Sequence, residues 1–281
     1  MYRKSIFQRI AALSLCLLSA SSFAAERIIS AGSAVTELVV ALGQQHQLVA
    51  VDATSELPPE LELPKIGYHR QLSAEGLLTL GATRLIGSDE MGPDSTLDQL
   101  RSAGVEVNIV NTKPTAEGLL ERVDQIASLL GAQHQADTLK PKLQQQLANL
   151  ESNKASQGSG KNVLFLLIHE GRPANVAGRD TTPNAIIELA GGRNPAAEKL
   201  TSYRPISTES IVEMQPDVIL VSGRSYKKMG GTEAILASMP MLSATPAGQN
   251  KRIFQIDGRA LVGGLGLKSL TEAERLSQLL Q

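Results

Sequence analysis

Short continuous apolar runs alternate with longer stretches in which apolar residues return every three or four places. Arg27-Ile28-Ile29-Ser30 reads as a short buried strand. After it, Gly32-Ser33 makes a turn and N-cap, and Val35, Leu38, Val39 and Leu42 fall on one helical face, with Glu37 near the positive end and Gly43 as the stop. Residues 48–51 form the next strand. Pro58, Pro59 and Pro64 then make the approach to Gly67 irregular and extended, so Tyr68 sits on a loop. Ser73 caps a helix through Leu80; a strand at 84–87, a helix at 97–103 closed by Gly104, a strand at 105–110 and a helix at 117–130 ended by Gly131 follow.

Leu139, Leu143, Leu147 and Leu150 then recur at helical spacing, predicting one long amphipathic helix from about 135 to 154. Pro141 lies inside it, so either the helix bends there or a first segment ends near Lys140. Residues 155–160 read as a flexible loop. Beyond them come an apolar strand at 163–168, helices at 184–190 and 208–214, a strand at 218–221, a helix at 233–238, a strand at 253–256 and a closing helix at 270–280. Alternating strands and helices of this kind imply parallel sheets covered on both faces.

The two halves repeat one plan. Displacing the sequence by 134 places sets Leu72-Ser73-Ala74-Glu75-Gly76-Leu77-Leu78 on Ile206-Ser207-Thr208-Glu209-Ser210-Ile211-Val212, and Leu85-Ile86-Gly87-Ser88 on Ile219-Leu220-Val221-Ser222. An aromatic and an arginine precede each copy: Tyr68 with Arg70, Tyr203 with Arg204. The expected fold is α/β: two lobes, each with a central, mainly parallel sheet flanked by helices, joined by one long backbone helix. The lobes are 25–131 and 161–281, the linking helix and loop 132–160. A helical connection predicts lobes that shift little relative to one another.

The first 24 residues read as a signal peptide. Arg3, Lys4 and Arg9 form its basic start, residues 10–18 its apolar run, and Ser22-Phe23-Ala24 its cleavage site, although Cys16 also invites a lipoprotein reading. Cleavage after Ala24 leaves 24 basic against 28 acidic residues, a formal charge of −4, which argues against a nucleic-acid surface. It also removes the only cysteine, so the mature chain has no disulfide and no thiolate metal site. An exported chain without cysteine fits the bacterial periplasm.

Catalytic patterns are missing: there is no phosphate loop, nucleophile elbow, His-Glu-x-x-His or cysteine nucleophile. Of the four histidines, His46 and His134 lie among glutamines and read as solvated surface, and no two have metal-ligand spacing. His169 follows an apolar strand, at the end where open parallel sheets place ligands.

The mature chain resembles the periplasmic haem-binding proteins of ABC haem importers, a branch of the class III substrate-binding proteins. The resemblance runs from Arg27 almost to Gln281. It is carried by Ser33-Ala34-Val35-Thr36-Glu37-Leu38, by Ile66-Gly67-Tyr68-His69-Arg70-Gln71-Leu72-Ser73-Ala74-Glu75-Gly76, by Val176-Ala177-Gly178-Arg179, by Leu189-Ala190-Gly191-Gly192 and by Tyr203-Arg204-Pro205-Ile206-Ser207.

The resemblance implies a protein that performs no covalent chemistry. It would bind haem (hemin), one or two per chain, and deliver it as a monomer to an inner-membrane ABC permease with its ATPase subunits. It implies that Tyr68 ligates ferric haem iron. Phenolate is a hard anionic donor suited to Fe(III), and a guanidinium such as Arg70 favours it over the phenol and can hydrogen-bond it. His169 matches a position where some members present a second-lobe histidine. It completes a six-coordinate iron, holds a second stacked haem, or caps the strand end by hydrogen bonds. His69 could substitute as a ligand, but reads first as a solvated loop histidine. Arg179, Tyr203, Arg204 and Arg224 are candidates for the propionates or the porphyrin face, each also explicable as ordinary surface. Glu75 and Glu209 match the glutamates with which related proteins dock on permease arginines; singly, each is a solvated helix-start carboxylate.

The chain departs from the family in one place. Where members often have Gly-Phe-Gly-Pro-Arg, it reads Gly264-Leu265-Gly266-Leu267-Lys268, losing an aromatic and exchanging arginine for lysine. Two rival readings stand beside haem: a carrier of the same fold for a ferric siderophore or corrinoid, and an exported enzyme acting on porphyrin metal, for which the sequence offers no acid/base pair.

Overall fold

The computed structural model describes residues 26–156, 160–169 and 171–281. The expected signal peptide, Cys16 and the centre of the expected flexible loop lie outside the described residues. The first lobe runs β1 (Ile28–Ala31), α1 (Ser33–Ala41), β2 (Leu48–Val51), α2 (Ala74–Thr79), β3 (Arg84–Ser88), α3 (Asp94–Ser102), β4 (Glu106–Val110) and α4 (Ala116–Leu130). Its strands form a parallel sheet in the order β2-β1-β3-β4. The central strands β1 and β3 are buried along nearly their whole length because helices cover both faces. At the edge, β4 is largely uncovered and leaves Ile109 half exposed.

Helix α5 (Gln133–Ser156) links the lobes. It passes through Pro141 as one helix, so the division considered near Lys140 does not occur. Leu143 and Leu150 are buried from it, with Leu139 and Leu147 packed beside them.

The second lobe runs β5 (Val163–Leu167), β6 (Asn175–Ala177), α6 (Thr182–Leu189), β7 (Tyr203–Pro205), α7 (Thr208–Glu213), β8 (Val218–Ser222), α8 (Gly223–Met229), α9 (Thr232–Ser238), α10 (Pro246–Gln249), β9 (Ile253–Ile256) and α11 (Leu267–Leu280). The sheet order is β7-β6-β5-β8-β9. Strands β5, β8 and β9 are parallel, whereas β6 and β7 pair antiparallel at one edge. These two strands are three residues each, too short for periodicity to announce.

The repeat is visible in three dimensions. Ser73 and Ser207 both accept an N-terminal amide, from Gly76 at 3.4 Å and from Ser210 at 3.2 Å, and each opens a six-residue helix. Strands β3 and β8, 134 residues apart at both ends, occupy the same place between a first strand and an outer parallel strand. One core cluster unites α1, α4, α5, α6 and α11, so the lobes share a spine.

Candidate functional site

Each sheet reverses its winding beside its first strand, between β1 and β3 and between β5 and β8. Crevices form at such points, outside the carboxyl ends of the strands. Asp52 follows β2 and Glu90 follows β3 in the first lobe; His169 follows β5 and Arg224 follows β8 in the second.

In the first lobe these positions carry a charged network buried at Asp52 and His69 and open at Glu90 and Arg70. Asp52 receives the backbone amides of Gly32 and Thr54, each at 3.1 Å, the Thr54 hydroxyl at 2.6 Å, and the Ser55 hydroxyl. Ser55 is joined in turn to Thr36 at 2.6 Å, and Thr36 to Ser30 at 2.7 Å. The His69 ring places Nδ1 3.2 Å from Asp52 Oδ2 and Nε2 3.6 Å from Glu90 Oε2. The outer oxygen of Glu90 takes the guanidinium of Arg70.

Burial pulls the imidazole down, but the hydrogen bond with Asp52 and the charge of the Asp52 and Glu90 carboxylates outweigh it, and His69 is held above its ordinary value. Asp52 shows the complementary balance: burial raises it, and donation from His69, Ser55, Thr54 and Gly32 brings it down to about 2. For Glu90, burial is outweighed by His69, Arg70 and the backbone amide of Gly263, and its carboxyl falls below the usual range.

Tyr68 stands over this network. Its ring meets the His69 ring edge-on at 4.4 Å, and the residue remains 43% exposed. The left-handed turn at Gly67 (φ 85°) delivers the chain to Tyr68, and the short helical turn His69–Gln71 follows. Two expectations need correction. His69 is fully buried between two carboxylates rather than solvated, because a charge pair on each side makes its burial tolerable. Arg70 spends its guanidinium on Glu90, a full carboxylate that attracts it more strongly than a phenol does.

The second lobe presents fewer fixed contacts. His169 and Arg224 are exposed and share a cavity of about 600 Å³ with Arg172 and Lys228, its apolar wall made by Ile168 and Met229. Tyr203 lies on the edge strand β7, its ring 6.3 Å from that of Phe165. Desolvation and the Glu90 carboxylate push its phenol up, and Arg70 opposes them, so this side chain feels first-lobe charges. Arg179 donates to the Thr201 hydroxyl at 3.3 Å and Arg204 to the Thr201 carbonyl at 3.2 Å, which ties both to the strand edge. Glu75 and Glu209 are exposed in the first turns of their equivalent helices. His46 and His134 are exposed, as expected.

The segment carrying the altered family motif joins the lobes. Glu37 of α1 accepts the amides of Leu267 at 2.5 Å and Lys268 at 3.1 Å, at the start of α11. Desolvation raises its carboxyl to about 7 against these two amides and the charges of Lys268 and Arg122. Arg122, fully buried, donates to the carbonyls of Asn111 at 2.5 Å and Leu265 at 2.6 Å; burial lowers it to about 10. A side chain at Gly266 would strike Glu37, and one at Gly264 would strike Arg122 and Thr112. Nearby, Glu56 pairs with Arg259 at 2.8 Å and Lys268 at 2.6 Å. Lysine at position 268 thus serves this joint.

The structure therefore gathers Tyr68, His69 and Arg70 into one group within electrostatic reach of Tyr203, and His169 and Arg224 into a second. Sequence reading missed Asp52, Glu90 and Arg172. The rule that drew attention to His169, a polar residue just past an apolar strand, applies equally to Asp52 and Glu90.

Three similarities bear on this arrangement. The crystal structure of the periplasmic heme binding protein HutB of Vibrio cholerae is 60% identical, with a TM-score of 0.86 over 91% of this chain and 98% of that one. The structure of the periplasmic heme-binding protein BhuT in complex with two hemes is 33% identical, with a TM-score of 0.82 over 91% and 99%. The vitamin B12-binding protein of Pectobacterium atrosepticum is 25% identical over 251 residues, 88% of each chain. The periplasmic binding protein model matches residues 28–260. With two α/β lobes, a single linking helix and that match, the chain belongs to the periplasmic binding protein family.

Proposed function

We propose that the protein is a periplasmic carrier that binds ferric haem between its lobes and delivers it to an inner-membrane ABC importer. The carrying observation is Tyr68: an exposed phenol on a loop, braced from beneath by a buried histidine between two carboxylates. A loop residue with no role does not call for such bracing. Phenolate is also the donor that ferric haem accepts. Similarity to haem-binding proteins at 60% and 33% identity supports the same ligand.

On binding, the Tyr68 hydroxyl releases its proton to solvent as its oxygen bonds the iron. In this reading His169, exposed on the opposite lobe, approaches the other face of the porphyrin or a second stacked haem. Arg172 and Arg224 beside it offer positive charge to propionates. Arg179, Tyr203 and Arg204 line the adjoining edge. Glu75 and Glu209, on equivalent capped helices, present two carboxylates to the paired permease subunits. The carrier works as a monomer and catalyses no reaction.

Titration of the mature protein with ferric haem, followed by absorption, tests this reading. Saturable binding with a tyrosinate-type spectrum is expected, and Tyr68→Ala should weaken it by more than about 100-fold, beyond what loss of an outer-shell partner does. His169→Ala should reduce the stoichiometry if two haems bind, and change the ligand field if one does. The similarity to a vitamin B12-binding protein favours a corrinoid as the second reading. Saturable cobalamin binding indifferent to Tyr68, with none for haem, would establish it instead.

A further inference from the structure

We infer that Leu78 and Met241 are apolar anchors with which the two lobes seat on the paired permease subunits, each beside the carboxylate that steers its lobe there. The inference rests on the docking reading of Glu75 and Glu209. Among the described residues, the exposed large apolar side chains are Tyr68, Leu78, Ile109, Tyr203 and Met241. Tyr68 and Tyr203 belong to the cleft, and Ile109 lies on the edge strand β4. The two that remain both belong to the docking elements. Leu78 lies three residues after Glu75 on α2, so the two share one side of that helix. Met241 lies on the short helical turn Pro240–Ala244, which packs against α7, the helix of Glu209.

A lone exposed apolar side chain is ordinary on a protein surface, so placement carries the argument. Neither residue serves the cores, which take Leu77 and Leu80 from the first segment and Met239 and Leu242 from the second. Nor does the repeat account for the pair. The residue 134 places after Leu78 is Val212, shorter and less exposed, and in the second lobe a different element supplies the long side chain. Two lobes thus reach the same pairing of carboxylate and apolar group by different routes. The partner that fits is a surface with a basic side chain beside an apolar recess, presented once by each permease subunit. The carboxylates act at a distance and set the rate of encounter. The apolar groups act only once water has left the contact, and set the rate of escape.

The test follows association and dissociation of the haem-loaded mature chain on the permease complex reconstituted in vesicles, over a range of salt. Leu78→Ser and Met241→Ser should each speed dissociation about 10-fold and leave the association rate, its salt dependence and haem affinity as in the parent. Glu75→Ala and Glu209→Ala should instead slow association and flatten its salt dependence. Leu78→Met keeps an apolar side chain and should dissociate close to the parent rate. Ile109→Ser, away from the docking elements, should match the parent throughout. If Leu78→Ser and Met241→Ser behave as Ile109→Ser does, or slow association rather than speed dissociation, while the glutamate variants bind poorly, the inference is overturned and the docking reading stands. If the glutamate variants also bind as the parent does, both are overturned.

Discussion

The two lobes carry the same local scaffold and opposite electrostatic furnishings. Strands β3 and β8 and the serine-capped helices before them superimpose in sequence and in place, yet the residue two beyond each strand is Glu90 in one lobe and Arg224 in the other. Glu90 is joined to the buried pair Asp52 and His69 and to the exposed Arg70, whereas Arg224 faces an open cavity beside His169 and Arg172. The repeated scaffold fixes where a polar side chain emerges; its neighbours decide whether it becomes a brace or a contact surface. Under the proposed function, the first lobe would hold the ligand atom in place and the second would meet charge arriving with the ligand.

The sharpest way to break this comparison is to remove one charge from each side. His69→Leu leaves Asp52 buried without its partner and should cost about 3–5 kcal/mol in urea unfolding. Arg224→Leu touches an exposed side chain and should stay within about 0.5 kcal/mol. Equal losses would show that the second lobe depends on its charges as the first does.

Next in size is the joint between the lobes. The raised carboxyl of Glu37 means that stability is fully present below about pH 4.5, falls while only the unfolded chain ionises, and reaches its low plateau above about pH 7. Glu37→Gln keeps an oxygen for the amides of Leu267 and Lys268 and removes the charge. It should raise stability at pH 8 by on the order of 3 kcal/mol, with little effect near pH 4. A variant less stable than the parent at pH 8 would mean that the ionised carboxylate, not its shape, holds the start of α11.

Asp52 gives the opposite slope. Its carboxyl lies near 2 in the folded chain against an ordinary 3.8, so its contribution is complete above pH 3.8 and lost as pH falls through 2. The acid limb should be steeper by about 2 kcal/mol in the parent than in His69→Leu, where Asp52 has lost its leading donor. His69 itself adds stability that is complete below its ordinary pKa of 6.5 and lost as pH rises through its raised folded value. The second lobe has no buried carboxylate like Asp52 among the described residues, and its unfolding should not follow this limb.

Much of the architecture could be read from the chain because its signals are local. Four- and five-residue apolar strands and the leucines of α5 declare themselves within a single window, as does the pair of serine caps. Strands β6 and β7 did not, since three-residue antiparallel edge strands are made by pairing rather than pattern. Tyr68 and Arg70 were visible as a motif, but not the partner of Arg70, because Glu90 lies 20 residues on and meets Arg70 only when the loop after β2 packs against the turn after β3. His69 misled for the same reason: a polar residue in a polar loop reads as solvated until Asp52, 17 residues earlier, is found beneath it.

The smallest effect tests the scaffold that both lobes share. Ser207→Ala and Ser73→Ala each remove one hydroxyl from a helix start and should cost about 1 kcal/mol apiece. Ser207 should cost more, since its bond to the amide is shorter and it also meets the Ser210 hydroxyl at 3.2 Å. The caps hold the first turns that carry Glu75 and Glu209, so fraying at either helix should blur the position of its carboxylate. With permease reconstituted in vesicles, each cap variant should lower haem delivery while leaving haem affinity unchanged, and Glu75→Ala or Glu209→Ala should lower it further. If a cap variant frays its helix by amide exchange and delivery is untouched, the two glutamates are not docking points, and the symmetry of the lobes ends at the backbone.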